Sequence, residues 1–185
     1  AAEFGEYQEA IVLYDRALKQ NPAHAGTWNN KGNALRKLNR IEAAQNCYQR
    51  ALTIDSNHAL ASANLGSLFL ELERFEEARK HLERATRLDA NNPRSWRVLG
   101  LVYEGEQASA MALDCYDQAI SIDSCFGEAH LSKGMLLVKL HQNEAAIGCL
   151  KKAVELDSTD SERWFQLGNG FGQMGQHELA IEHFD

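Results

Sequence analysis

The sequence has few of the residues that interrupt helices or build chemical sites. Its 185 residues include only two prolines, Pro22 and Pro93, so long helices have room to form. No apolar run approaches the roughly 18–20 residues that a transmembrane helix needs. No glycine-rich phosphate-binding loop and no CxxC pair occurs. These absences argue against a membrane span, a nucleotide-binding enzyme and a zinc ribbon.

Positive charge is also in short supply. The net charge is −7, and no run of Lys or Arg marks a basic patch. Non-specific nucleic-acid binding and polybasic membrane contacts both depend on such patches, so we expect neither partner. The four cysteines lie at Cys47, Cys115, Cys125 and Cys149, spacings that favour reduced thiols and a cytoplasmic location over a disulfide framework.

The chain contains a repeat with a period of 34 residues. No insertion or deletion breaks this period. One position of the repeat is glycine in each unit, and we call these residues the glycine column: Gly32, Gly66, Gly100, Gly134 and Gly168. An alanine column is Ala10, Ala44, Ala78, Ala112, Ala146 and Ala180. A fixed period of this length decides the fold before any single residue does.

Each unit predicts two short amphipathic helices. The first has a stripe at i, i+3, i+4 and i+7: Trp96, Leu99, Gly100 and Tyr103. The second has one at i, i+4 and i+7: Ala112, Tyr116 and Ala119. A glycine inside a helix costs about 1 kcal/mol relative to alanine. Its recurrence therefore indicates that close helix packing outweighs this cost. Asp-rich junctions such as Asp55-Ser56-Asn57 suit a helix end and the N-cap of the next helix.

The pattern W-x2-L-G-x2-Y followed by the Ala, Tyr and Ala positions resembles the tetratricopeptide repeat. Lys31 and Lys133 depart from it by replacing a leucine, and we expect their stems to lie along the core with the amines outside. The resemblance implies an all-α solenoid, a right-handed superhelix of antiparallel helix pairs, forming one array over 1–185. The expected units are a second helix at 1–24, full repeats at 25–58, 59–92, 93–126 and 127–160, and an incomplete repeat at 161–185. Because the helical pattern runs through both ends, we expect a segment of a longer protein.

The resemblance further implies a concave groove, lined by the first helices, that binds a peptide or partner protein. The groove-lining candidates are Asn29, Asn30, Asn33, Arg36, Lys37, Asn64, Ser67, Arg94, Arg97, Leu101, Leu131, Met135, Phe165 and Asn169. The candidates in the N-terminal half are rich in amide and basic side chains. Four candidates further along the chain are apolar, namely Leu101, Leu131, Met135 and Phe165. We therefore expect an extended ligand with acidic or polar groups and apolar anchors.

Three alternatives stay open. The segment could be a substrate-recruiting arm of a larger enzyme such as a glycosyltransferase, whose amide ladder Asn30 and Asn64 resemble. It could be a chaperone-type carboxylate clamp, matched at Asn33 and Asn64 but not at Val98. It could also be a structural module that self-associates end to end through apolar residues of the sixth repeat, namely Leu179, Ile181 and Phe184.

One repeat position places Cys47, His81, Cys115, Cys149 and His183 in a column on the second helices. Helices pack about 8–10 Å apart. Zinc needs four ligand atoms within about 2.0–2.3 Å of one point. The column is therefore interpreted as a semi-buried packing position. No catalytic set, metal site or cofactor is expected in this segment.

Overall fold

The computed structural model describes residues 2–157 and 161–173, and the side chains of residues 5–157 and 164–172. Within these ranges the chain is all-α, which confirms the predicted fold class. It divides into two compact units, Ala1–Ala90 and Asn91–Asp185. The assignment of the chain to one continuous array stays a prediction. Leu179, Ile181, His183 and Phe184 lie outside the described residues.

Each unit holds five of the described helices. In the first unit they are α1 (Ala2–Gln20), α2 (Ala25–Lys37), α3 (Ile41–Ile54), α4 (Ala59–Glu71) and α5 (Phe75–Leu88). In the second they are α6 (Pro93–Gly105), α7 (Ser109–Ile122), α8 (Gly127–Lys139), α9 (Asn143–Leu156) and α10 (Ser161–Gln173). The antiparallel pairs are α2/α3, α4/α5, α6/α7 and α8/α9. We call α2, α4, α6, α8 and α10 first helices and the others second helices.

The glycine column lets each first helix lie directly on its second helix. An ideal Cβ at Gly100 would lie 2.5 Å from Cε1 of Tyr116, and one at Gly32 would lie 2.5 Å from Cε1 of Tyr48. Both tyrosines are 0% exposed, so their rings fill the space that the missing side chains leave. The same relation joins Gly66 to Leu82 and Gly134 to Leu150. The predicted packing role of the glycines is therefore confirmed.

The two lysines in the leucine position also lie as predicted. The side chains of Lys31 and Lys133 are only 18% and 23% exposed. The Lys31 amine lies 2.6 Å from Oδ1 of Asp15, and Lys133 pairs with Asp117. Each stem is therefore half-buried, and its amine ends on a carboxylate of the preceding second helix.

The junctions differ in one respect from the prediction. The N-caps of α2, α4 and α6 are His24, His58 and Asn92, whose side chains accept bonds from the N–H groups of the first turn. The aspartates instead end the second helices, where Oδ1 of Asp55 accepts from the N–H of Asn57. The N-cap half of the prediction is confirmed at Asn92, the last residue of the junction at 89–92, and is wrong for the aspartates, because they come too early in the junction to reach the next helix.

Alanines and aliphatic side chains fill the core of each unit. In the second unit one cluster comprises Leu137, Val138, Ala146, Leu150, Val154, Leu167 and Phe171. In the first, Ala25, Ala51 and Ala61 pack together with Trp28 and two aliphatic residues, Leu52 and Ile54, at their edge. Across the described residues, no helix combines the length and apolarity required to cross a membrane.

Candidate functional site

Three predicted groove residues form one hydrogen-bonded chain in the first unit. Nδ2 of Asn64, on α4, donates to Oδ1 of Asn29, on α2, at 2.8 Å. Nδ2 of Asn29 donates in turn to Oδ1 of Asn30 at 3.2 Å. Asn29 is only 3% exposed, whereas Asn30 is exposed and Asn64 is half-buried. The amide chain therefore ties two first helices together and presents its two ends at the surface.

Asn33 is exposed on α2, and a buried tyrosine of α3 holds its side chain. The hydroxyl of Tyr48 donates to Oδ1 of Asn33 at 2.8 Å. Burial raises the pKa of Tyr48 to about 12, although the nearby Arg36 guanidinium opposes the shift. The phenol therefore stays protonated at neutral pH and keeps donating. Asn33 is fixed by the core while its amide faces outward.

Arg36 is engaged by a carboxylate and does not stand free in the first unit. Its Nε lies 3.1 Å from both carboxylate oxygens of Glu71, on α4. Ser67 is also satisfied locally, since its hydroxyl donates to the carbonyl of Ala63 at 2.9 Å. Lys37, by contrast, is exposed. Among the predicted basic ligands of this unit, only Lys37 is unpaired within the described ranges.

The second unit repeats the pairing between first helices with the charges reversed. Glu104 on α6 stands where Arg36 stands in the first unit, and Lys139 on α8 stands where Glu71 stands. Lys139 Nζ lies 3.2 Å from Oε2 of Glu104. The hydroxyl of Tyr116 donates to the other oxygen of the same carboxylate. Burial, and then this bond to Glu104, raise the pKa of Tyr116.

Arg97 occupies the position that Asn29 holds in the first unit, but it is poorly satisfied. Its Nη1 reaches the hydroxyl of Ser132, the counterpart of Asn64, only at 3.5 Å. Its Nε is buried and has no hydrogen-bond partner among the described residues. Burial lowers the pKa of Arg97, with Glu128 acting in the opposite direction. Arg94, one turn earlier on α6, is exposed. The two guanidinium groups offer donors to an anion.

The four predicted apolar groove residues are not equally available. Leu131 and Met135 are half-buried against the core cluster of the second unit, and Leu101 is half-buried. Phe165 on α10 is 53% exposed, and Asn169, one turn later, is exposed as well. Phe165 is therefore the apolar anchor with the largest free surface among the four.

A cavity of about 370 Å³ opens on the first unit, between α1 and α2. The α1 side contributes Glu6, Tyr7, Ala10 and Tyr14, and the α2 side contributes Asn30, Asn33, Ala34 and Lys37. Three predicted groove residues thus line it. Its α1 wall carries two tyrosines, an alanine and the carboxylate of Glu6, while the α2 wall carries the amides and a lysine.

The cysteine and histidine column supplies no cluster of three metal-ligating side chains, and the search covers described residues only. Cys47 and Cys115 are buried, and Cys149 is half-buried. Burial raises the pKa of the Cys47 and Cys149 thiols, with Lys31 and Lys133 respectively opposing it. These thiols are therefore less reactive than free cysteine.

Sequence reasoning missed the partners that hold the candidate residues. Tyr48 was assigned only to packing, yet its hydroxyl fixes Asn33. The Arg36–Glu71 and Asn29–Asn64 contacts both span 35 residues, one repeat plus one residue. The 34-residue period therefore carried the signal for contacts between successive first helices.

Comparison with known families gives the same assignment over most of the chain. Family models described as tetratricopeptide repeat match residues 29–93 and 63–124, residues 1–53, and residues 127–160. No curated protein matches the chain at a significant level.

Several solved structures are similar to this chain. YrrB, described as a tetratricopeptide-repeat protein with an unusual peptide-binding site, is 25% identical with a TM-score of 0.70, covering 92% of this chain and 88% of YrrB. MamA is 25% identical with a TM-score of 0.73, covering 85% of this chain and 92% of MamA. PilF of Pseudomonas aeruginosa is 21% identical with a TM-score of 0.84, covering 97% and 82%, and shares the fold.

Proposed function

Because the chain belongs to the tetratricopeptide-repeat family, we propose that it is a non-catalytic interaction protein that binds a peptide or partner protein on its first helices. The observation that carries the proposal is the amide chain Asn30–Asn29–Asn64. Amide groups both donate and accept, so the exposed Asn30 and the half-buried Asn64 at the ends of this chain suit the backbone of an extended peptide whatever its sequence. The peptide-binding site in the description of YrrB supports the same function.

In the first unit we propose that the ligand is polar or acidic. Asn33 and Lys37 flank the amide chain on α2, and both are exposed. A peptide laid along these side chains would meet amides and one ammonium group. The charge of Lys37 favours a carboxylate at that end.

In the second unit we propose an acidic group at Arg94 and Arg97 and an apolar anchor at Phe165. The buried Nε of Arg97 has no acceptor among the residues that the structure describes, and leaving a buried donor unpaired costs about 1–3 kcal/mol. A ligand carboxylate would recover part of this cost. Phe165 supplies exposed aromatic surface, the kind of group that anchors interfaces. We place the interaction in the cytoplasm, where thiols such as exposed Cys125 stay reduced.

The test begins with a displayed library of 12-residue peptides selected on the chain, followed by calorimetric titration of the selected sequences. Asn64→Ala should weaken their binding about two- to tenfold, because it removes a hydrogen bond worth about 0.5–1.5 kcal/mol. Asn46→Ala is the matched control, since Asn46 is an exposed asparagine on the second helix α3. Equal affinity for wild type and Asn64→Ala would overturn the assignment in the first unit.

The second unit is tested with the same peptides. Phe165→Ala should weaken apolar peptides, whereas Met111→Ala should not, although Met111 on α7 is 49% exposed. Arg97→Met keeps the apolar stem and removes the charge. It should weaken acidic peptides and leave their Glu→Gln counterparts unchanged; an equal loss for both would contradict the proposed carboxylate contact.

A further inference from the structure

Helices α6 and α8 run side by side in the second unit. Nη1 of Arg97 lies 3.5 Å from the hydroxyl oxygen of Ser132. Two turns further along α6, Oε2 of Glu104 lies 3.2 Å from Nζ of Lys139. Both contacts join residues 35 positions apart, so the two helices point in the same direction over this length. Equivalent positions on them are therefore one helix-packing distance apart, about 8–10 Å.

Three candidate residues of this unit form a row across its first helices. Leu131 on α8 lies one repeat after Arg97, and Phe165 on α10 lies two repeats after it. Helix α10 contacts α8, just as α8 contacts α6. A ligand that crosses the three helices therefore meets a guanidinium group, then an aliphatic side chain, then an aromatic ring, each one packing distance after the last. The row follows from the repeat register and does not depend on how much of Phe165 is exposed.

The spacing of the row selects one peptide conformation. A polyproline II helix advances about 9.3 Å in one turn of three residues, so every third side chain points the same way one helix further on. In a β-strand, the side chains of one face recur at about 6.6 Å, which falls short of the next helix, and at about 13 Å, which passes it. An α-helix reaches about 10.5 Å only after seven residues, and its backbone groups already bond to one another.

The side chains along the row indicate which ligand residues they accept. Arg94 is exposed one turn before Arg97 on α6, and their two guanidinium groups favour a carboxylate. Leu131 and Met135 are half-buried on α8 and favour an apolar residue. A polyproline II helix has no internal hydrogen bonds, so its carbonyl groups stay free for the polar side chains of the first helices.

We propose, as an extension that rests on the proposed function, that the second unit binds a proline-rich segment of a partner protein in the polyproline II conformation. An acidic residue of the segment lies at α6, and apolar residues three and six positions away from it lie at α8 and α10. Proline suits the positions between them because its ring fixes φ near the value of this conformation. Each first helix thus contacts one ligand residue in three.

The probe is a fluorescein-labelled peptide with glutamate, leucine and phenylalanine at positions one, four and seven and proline at the positions between them. A second probe has the reverse order, so that both chain directions are covered. Each has a control of the same composition with the three side chains at positions one, three and five. In titrations with the whole chain followed by fluorescence anisotropy, the tighter probe should bind about tenfold more tightly than its control, whose side chains point to different faces.

A charge exchange tests whether the acidic residue lies at α6. Arg94→Glu in the chain should weaken the probe about fivefold, the upper range for an exposed ion pair. Lysine in place of the glutamate of the probe should restore binding to that variant. Arg50→Glu is the matched control, because Arg50 is an exposed arginine on the second helix α3; it should leave the affinity unchanged.

The other end of the row is tested at α10. Phe165→Ala in the chain should weaken the probe, and it should leave unchanged a probe in which alanine replaces phenylalanine. This pair of measurements shows whether the glutamate and the phenylalanine, six positions apart, reach α6 and α10 in the same complex.

Two results would overturn the proposal. One is a probe that binds no more tightly than its control. The other is tightest binding by a peptide with threonine in place of proline and the three side chains at positions one, three and five, which would identify a β-strand ligand. Either result leaves the proposed function standing if library peptides bind the chain and lose affinity with Arg97→Met. Failure of every library peptide to bind would contradict the proposed function itself.

Discussion

At the scale of single residues, the glycines of the first helices stabilise the fold because their missing side chains leave room for a large residue of the second helix. We predict that Gly100→Ala destabilises the chain by about 1–3 kcal/mol, because the new Cβ would lie 2.5 Å from the buried ring of Tyr116. This loss exceeds the gain of about 1 kcal/mol that alanine brings to a helix interior. Urea denaturation monitored by circular dichroism measures the difference.

Gly148 supplies the matched control. It lies in the exposed middle of α9, and a Cβ there would meet nothing within 4 Å. Gly148→Ala should therefore stabilise the chain by up to about 1 kcal/mol. If both substitutions changed stability in the same direction, the close contact at Gly100 would not explain the glycine column.

Single polar residues show where sequence reasoning reached its limit. The period placed Asn29 and Arg97 at equivalent positions on first helices, and the structure has them there. The period did not show that Asn29 is only 3% exposed, or that its side-chain amide bonds to neighbouring amides. Burial of a side chain depends on which residue faces it one repeat later, Asn64 in one unit and Ser132 in the other. Periodicity predicts a position but not its partner.

At the scale of elements, the turns that join α2 to α3, α4 to α5, α6 to α7 and α8 to α9 each contain one residue with a positive φ. Asn39, Glu73, Gln107 and His141 have φ between 56° and 61°. A left-handed conformation costs a non-glycine residue about 1–2 kcal/mol, less for asparagine. The sequence did not reveal these positions because no glycine marks them.

We predict that Glu73→Gly stabilises the chain by up to about 1 kcal/mol. Glycine removes the strain of the left-handed conformation, although it also gives the unfolded chain more freedom, which limits the gain. Asn39→Gly is the control, and its effect should be smaller because asparagine tolerates this conformation. Thermal or urea unfolding of the two variants checks the order. A destabilised Glu73→Gly variant would mean that the glutamate side chain contributes more than the turn strain costs.

At the scale of the whole molecule, the repeat made the fold predictable. It also means that each first helix must pack beside its own neighbour and not beside another helix of similar sequence. The reversed pairs Arg36–Glu71 and Glu104–Lys139 address it. If α2 were to pair with α8, Arg36 would face the like charge of Lys139. Each exposed pair contributes only about 0–1 kcal/mol. Like charges in the wrong pairing add a penalty, so the pattern favours the native neighbours.

In the part of the chain that the structure describes, the helices of each unit contact only those of the same or an adjacent repeat, so a core defect should act locally. Leu150 is 0% exposed and packs in the core of the second unit. We predict that Leu150→Ala costs about 2–5 kcal/mol. It should raise amide exchange in α8 and α9 far more than in α2 and α3, as hydrogen exchange with mass spectrometry would show.

Leu60→Ala is the control, because Leu60 on α4 is 52% exposed, and it should change stability by less than about 0.5 kcal/mol. A uniform rise in exchange over all ten described helices would mean that the chain unfolds as one cooperative unit, and that contacts between neighbouring repeats dominate its stability.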